Sequence, residues 1–205
     1  MLKIYLTRHG ETEWNIQGKL QGWNDSNLTE NGIEGAYALH HHLSDINIDA
    51  IYSSPLGRAM KTSEIIAGER GIEIIEEPNF KEVYLGDWEG RTGIELEELY
   101  SEQYYNFWHA PHLYRTEKGE SFSRVQDRAI GAIHKIVETR KSGNILIVTH
   151  GVTLKLILAY FESRSLEDLW KSKFVKNTSL SLIEFDGEEY QIALYADSSH
   201  IADAY

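Results

Sequence analysis

Cysteine is missing from all 205 residues, which excludes disulfides and thiolate metal sites. Proline is scarce, with three in the chain, and no low-complexity stretch or long repeat interrupts the rest. No apolar run approaches the roughly 18 residues that would span a bilayer. The start, Met1-Leu2-Lys3-Ile4-Tyr5-Leu6-Thr7, turns polar too early for a signal peptide. A cytoplasmic protein with no membrane partner is expected. Positive charge is the other shortage: 20 Lys and Arg against 32 Asp and Glu leave a net charge of −12. No concentrated basic stripe relieves it, so nucleic acid is excluded as a partner. A phosphorylated ligand would have to be drawn by a few basic residues inside a pocket.

Hydrophobic content of 41% and charge of 25% are ordinary for a folded chain. The length suits one substantial core with room for a small cap. Lys3 to Thr7 reads as a buried strand ending at Arg8-His9-Gly10. A helix is predicted from about Thr29 to Leu43, a strand over Asp49 to Ser53, and a second helix from Arg58 to Gly68. A third strand falls within Gly71 to Glu77, and a long helix within Ser121 to Arg140. Asn144 to Thr149 is the clearest buried strand; it ends at His150-Gly151 and leads into a helix from Val152. Ser179 to Glu184 and Tyr190 to Tyr195, joined through Asp186-Gly187, predict a closing hairpin. Residues 78 to 122 differ, being rich in aromatics and broken by Gly86, Gly90, Gly93 and Pro111. The expectation is a single α/β domain over 1–205: a three-layer α/β/α sandwich with a mostly parallel sheet and a small helical cap inserted at about 78–122.

Thr7-Arg8-His9-Gly10 and Thr149-His150-Gly151 each deliver a histidine to the carboxyl end of a strand, before a glycine. In open α/β sheets that edge binds ligands, beside helix amino termini with unpaired N–H groups. Arg8 and Arg58 adjoin the same strand ends, and their forked donors suit phosphate oxygens. A neutral imidazole can attack phosphorus, and a carboxylic acid is then needed for the leaving alkoxide. Glu82 is one candidate, with Phe80, Tyr84 and Trp88 near enough in sequence to desolvate it; Glu11, Glu13 and Asp87 stay open as alternatives. His40-His41-His42 fan around a helix axis and cannot face one ion as a set. His109 and His112 are candidates for a substrate entrance, while His134 and His200 have no supporting context. Trp23 could shield a pocket or stack on a ligand, and most cap aromatics are expected to pack among themselves.

Thr7-Arg8-His9-Gly10-Glu11-Thr12 resembles the signature of the histidine phosphatase superfamily, the phosphoglycerate mutase-like proteins. Asn15, Ser53-Ser54-Pro55-Leu56-Gly57-Arg58-Ala59 with Thr62, Glu82 ahead of Gly86-Asp87-Trp88-Glu89-Gly90, and His150-Gly151 follow in the family's order. The resemblance implies that His9 becomes phosphohistidine, that Arg8, Arg58 and His150 bind the phosphoryl oxygens with Asn15 helping, and that Glu82 protonates the leaving group. Gly151, Gln21 and Gly22 are added as candidate phosphate contacts. No metal or other cofactor is implied, and the partner is a small phosphorylated metabolite. A homodimer is left open. A cofactor-dependent phosphoglycerate mutase is the alternative, but the mutases follow the glutamate with Arg-His-Tyr-Gly. This chain has Val83-Tyr84-Leu85-Gly86 there, a shorter cap, and only Arg115 and Lys118 in the region where the mutases' longer insert supplies basic residues, which favours a phosphatase.

Overall fold

A computed structural model describes residues 1–201. Among them, β1 (Leu2–Arg8), β2 (Ala50–Ser53), β3 (Ile74–Glu76), β4 (Gly143–Thr149), β5 (Leu180–Phe185) and β6 (Tyr190–Asp197) form one sheet in the order β3-β2-β4-β1-β5-β6. The pairs β1–β4, β2–β4 and β2–β3 are parallel; β5 runs antiparallel to both β1 and β6. The mostly parallel sheet is as expected.

Strand side chains alternate between faces, and the burial divides accordingly. Leu2, Ile4, Leu6, Ile145 and Ile147 pack beneath α5 (Phe122–Thr139) and α6 (Gly151–Phe161). Tyr5, Ile51, Leu146 and Val148 pack on the other face, beneath α2 (Glu30–His42) and α3 (Gly57–Ala67). Helices on both faces of one sheet make the three layers. α5 turns Val125, Ala129, Ile133 and Ile136 inward at three- and four-residue spacing. Its start is fixed by Ser121, whose hydroxyl accepts from Arg124 N, as Thr29 accepts from Gly32 N at the start of α2.

The segment over 78–122 holds two 3₁₀ turns, Pro78–Phe80 and Gly86–Trp88, then α4 (Gly93–His109) and a third turn, Pro111–Leu113. A Thr92–Glu95 capping box starts α4, and Tyr100 kinks it with φ −138° and ψ 38°. Trp88, Phe107 and Tyr114 are buried against Phe122, Leu156 and Leu169, so these aromatics form a satellite core. No described helix is long and apolar enough to cross a membrane.

Candidate active site

Register brings the two histidines together. β1 and β4 are neighbours with Arg8 opposite Thr149, and His9 N donates to Thr149 O at 2.9 Å. One residue beyond, the rings of His9 and His150 lie 5.2 Å apart between centroids. Gly10 has no room for a side chain, because a Cβ there would strike the backbone of Gly32; its N–H donates to Thr62 Oγ1 at 2.9 Å. The sharp exit from β1 is thereby locked to α2 and α3.

His9 is 3% exposed, and its Nδ1–H donates to Gly10 O at 2.7 Å. That bond leaves the Nε2 lone pair to face Arg58, whose Nε donates to it at 3.2 Å. Burial, followed by the charges of Arg58 and Arg8, pushes the His9 pKa well below the usual 6.5. The ring is therefore a neutral imidazole with one defined nucleophilic nitrogen. Arg58 is held in turn: Nη2 donates to Gly22 O at 2.8 Å, and Nη1 to Asn24 O at 2.8 Å and Asp25 Oδ1 at 2.9 Å. Arg8 is half-buried, with Nη1 donating to Val175 O at 3.2 Å, while its buried Nε has no partner among the described residues. Burial lowers its pKa to about 10, with nearby Glu82 working in the opposite direction. His150, also driven well below 6.5 by burial and then by Arg58, bonds Ser54 Oγ through Nε2 at 2.7 Å. Its Nδ1 is buried and unpartnered among the described residues. Orphaned buried polar atoms are costly, and two of them, on Arg8 and His150, flank one imidazole.

Glu82 is placed by backbone contacts. Arg128 Nη2 and Trp23 Nε1 each donate to Glu82 O at 2.9 Å, and Arg128 also grips Asn79 O, Lys81 O and the Glu120 carboxylate. The Glu82 side chain rests on the amino terminus of α6. Oε1 accepts from Val83 N at 2.9 Å, Thr153 N at 3.0 Å and Thr153 Oγ1 at 3.1 Å; Oε2 accepts only from Val152 N, at 3.0 Å. The expected aromatic surroundings are thus corrected. Phe80 and Trp88 point into separate cores, Tyr84 packs on Trp23, and amides surround the carboxylate.

A cavity of about 210 Å³ opens over Arg8, His9, Arg58 and Glu82; His150, fully buried, is not among its lining residues. Arg8, His9, Asn15, Gln21, Gly22, Arg58, Glu82 and Gly151 line its polar side, and Leu20, Val83, Phe107, Trp108, Val152, Trp170 and Phe174 line the apolar side. Glu82 is the one carboxylate among these residues. Glu11 instead accepts from Thr29 Oγ1, Asp87 pairs with Lys118 at 2.8 Å, and Glu13 lies exposed in the first turn of α1 (Glu13–Ile16). Asn15 caps α1, Oδ1 accepting from Thr12 N, which leaves its amide donors for the cavity. Gln21 is differently employed: Nε2 donates to Thr12 Oγ1 and Oε1 accepts from Ser26 Oγ. Gly22 must be glycine, with φ +55° and Glu89 in the place of a Cβ.

Several residues that serve the site were not among the expected ones. Asp25 and Ser54 orient Arg58 and His150, Thr153 holds Glu82, and Asn177 Nδ2 donates to His9 O at 2.9 Å. Thr153 was findable from Gly151 and helix spacing; Asn177, 168 residues from His9, carried no sequence signal. His109 and His112 do not line the cavity, where Phe107 and Trp108 do. Trp23, 41% exposed, neither shields it nor lines it, but braces the Glu82 carbonyl beneath the Lys81 ammonium.

A three-layer α/β sheet that presents two histidines, two arginines and a carboxylate at its strand ends belongs to the phosphoryl-transfer enzymes. Within that class the chain belongs to the histidine phosphatase superfamily, branch 1, whose family model matches residues 4–198. It is 43% identical to the solved Bacillus stearothermophilus YhfR, with a TM-score of 0.96 over 98% of this chain and 100% of that one. Phosphoserine phosphatase 1 of Hydrogenobacter thermophilus is 31% identical over 100% of this chain and 97% of its own. The solved Entamoeba histolytica phosphoserine phosphatase, in complex with 3-phosphoglyceric acid, has a TM-score of 0.86 at 28% identity, covering 98% of this chain and 100% of that one.

Proposed function

We propose that the protein hydrolyses small phosphate monoesters by passing the phosphoryl group through His9. The observation that carries this reading is the His9 imidazole itself: Nδ1–H tied to Gly10 O, and Nε2 left as the nucleophile beside Arg58. In the first step Nε2 bonds to phosphorus as the ester P–O bond breaks, and Glu82 gives its proton to the departing alkoxide. In the second step water attacks the phosphohistidine, Glu82 takes the water's proton, and inorganic phosphate leaves with His9 restored. Arg8 Nε, Arg58 and His150 Nδ1 supply fixed donors to the phosphoryl oxygens, and Asn15 adds an amide. Pre-set charge of this kind is the main requirement of phosphoryl transfer, whose transition state spreads charge over those oxygens.

The cavity walls bear on the leaving group. Arg115 donates to His112 O and Tyr114 O, and Lys118 pairs with Asp87, both away from the cavity. Lys155 reaches the cavity but spends its ammonium on Ser172 O, Ser172 Oγ and Lys173 O. Lys19, on the cavity wall 6.0 Å from the Trp14 ring centroid, is the cation that a substrate carboxylate such as that of glycerate would meet, while Phe107, Trp108 and Trp170 accept an apolar body. Phosphoserine, named in two relatives, is the natural first substrate to compare with apolar phosphate esters. The test is phosphate release from such a panel in the presence of chelator, alongside 3-phosphoglycerate with and without 2,3-bisphosphoglycerate. Phosphate release should exceed interconversion of 3- and 2-phosphoglycerate; dominant interconversion in the primed enzyme would make it a mutase.

A further inference from the structure

The last turn of α2 and the end of β6 meet far along the chain from each other, at His42, Asp197 and His200. One ligand atom from each lies within 4.8 Å of the others, the single such group of three among the described residues. We propose that these side chains form a second site, for a divalent transition metal such as zinc, separate from the catalytic cavity.

The histidine at 200 is prepared for this role. Its Nε2–H donates to Thr178 O at 2.9 Å, so the lone pair falls on Nδ1, which is buried with no hydrogen-bond partner among the described residues. A backbone carbonyl on the far nitrogen is the usual means of fixing the tautomer of a metal-bound histidine. The ring of His42 lies beside it, with centroids 4.9 Å apart. Asp197 accepts from Ser199 Oγ at 2.7 Å through Oδ2, which leaves further carboxylate lone pairs free. Two imidazole nitrogens and one carboxylate match a zinc donor set with an open fourth position. Tetrahedral zinc at bond lengths of about 2.0–2.1 Å places its ligand atoms ~3.4 Å apart. The closing needed is small, and His42, exposed at the end of its helix, has the freedom to make it.

None of the three lines the catalytic cavity. The ion would instead clip α2 to the end of β6 and brace Thr178, next to Asn177, which holds the His9 carbonyl. Its effect should be on stability, with turnover continuing in chelator.

The test uses the full chain, stripped with chelator and desalted, titrated with zinc by calorimetry and with cobalt by visible absorption. One saturating equivalent is expected, with tetrahedral cobalt bands and a raised melting temperature. His200→Ala and Asp197→Asn should each weaken binding by roughly tenfold or more, and His41→Ala, on the same helix turn, should not. The Asp197 variant keeps the test readable if loss of the His200–Thr178 bond destabilises the fold. Absence of a one-equivalent site, or binding indifferent to both substitutions, would overturn the assignment, as would loss of binding in His41→Ala.

Discussion

Replacing Glu82 with Gln separates the two jobs of its carboxylate. Oε1 takes three donors (Val83 N, Thr153 N and Thr153 Oγ1), and Oε2 takes Val152 N. A glutamine keeps its amide oxygen in the three-donor position, which turns its NH₂ toward Val152 N–H, donor against donor. One unpaired buried N–H costs about 1–3 kcal/mol, so the variant should melt a few degrees lower and remain folded. The catalytic loss is larger. A general acid contributes ~10²–10⁴-fold, or roughly 3–5 kcal/mol of barrier. That loss should appear in kcat/KM for an alkyl phosphate, whose alkoxide must be protonated as it leaves. It should be far smaller for p-nitrophenyl phosphate, whose phenolate departs without a proton. The assay is the ratio of kcat/KM for the two substrates, in wild type and variant, with melting curves alongside. Equal losses on both substrates would refute proton donation by Glu82, the one carboxylate among the described residues that line the cavity.

Two further outcomes follow from the charges around His9. His9 and His150 stay neutral in the fold below 6.5, where the unfolded chain binds protons, so their contribution to stability is present above pH 6.5 and is lost as pH falls below it. Each adds up to about 1.4 kcal/mol per pH unit in that window; urea unfolding of His9→Gln between pH 7 and 5 should show a slope about one proton shallower than wild type, and an unchanged slope would mean His9 is protonated in the fold. Asp25→Asn weakens the grip on Arg58 Nη1 but leaves the Gly22 and Asn24 carbonyls, so kcat/KM should fall roughly 10-fold with little change in melting, because the pair is a third exposed on the aspartate side; steady-state kinetics at wild-type rates would show that Arg58 needs no anchor.

Much of this architecture was written locally. Strands that end in Arg8-His9-Gly10 and His150-Gly151 are legible because each is a short continuous apolar run, buried on both faces of the sheet, with a punctuated end. The helices over Glu30–His42, Gly57–Ala67 and Phe122–Thr139 fall within a residue or two of their expected limits, since caps and apolar spacing agree. β3 is shorter than expected, Ile74–Glu76 within Gly71–Glu77, because it is an edge strand limited to what the four residues of β2 can pair. α1 and the 3₁₀ stretch Leu166–Lys171 were not foreseen; each is too short to show a period. Long-range polar contacts were the least legible. Nothing near Glu82 in sequence reveals that the amino terminus of α6 receives its carboxylate, and aromatic neighbours in sequence pointed to the wrong surroundings. His200 likewise gained a context only when the fold brought it to His42.

Covalent catalysis at His9 is most directly tested by rapid acid-free quench of a single turnover with radiolabelled substrate, followed by mass mapping of the labelled peptide. The expected result is an acid-labile, base-stable phosphoenzyme on the peptide that carries His9, absent from a folded His9→Ala protein that has lost turnover. Label on another residue, or near-normal turnover in His9→Ala, would contradict it.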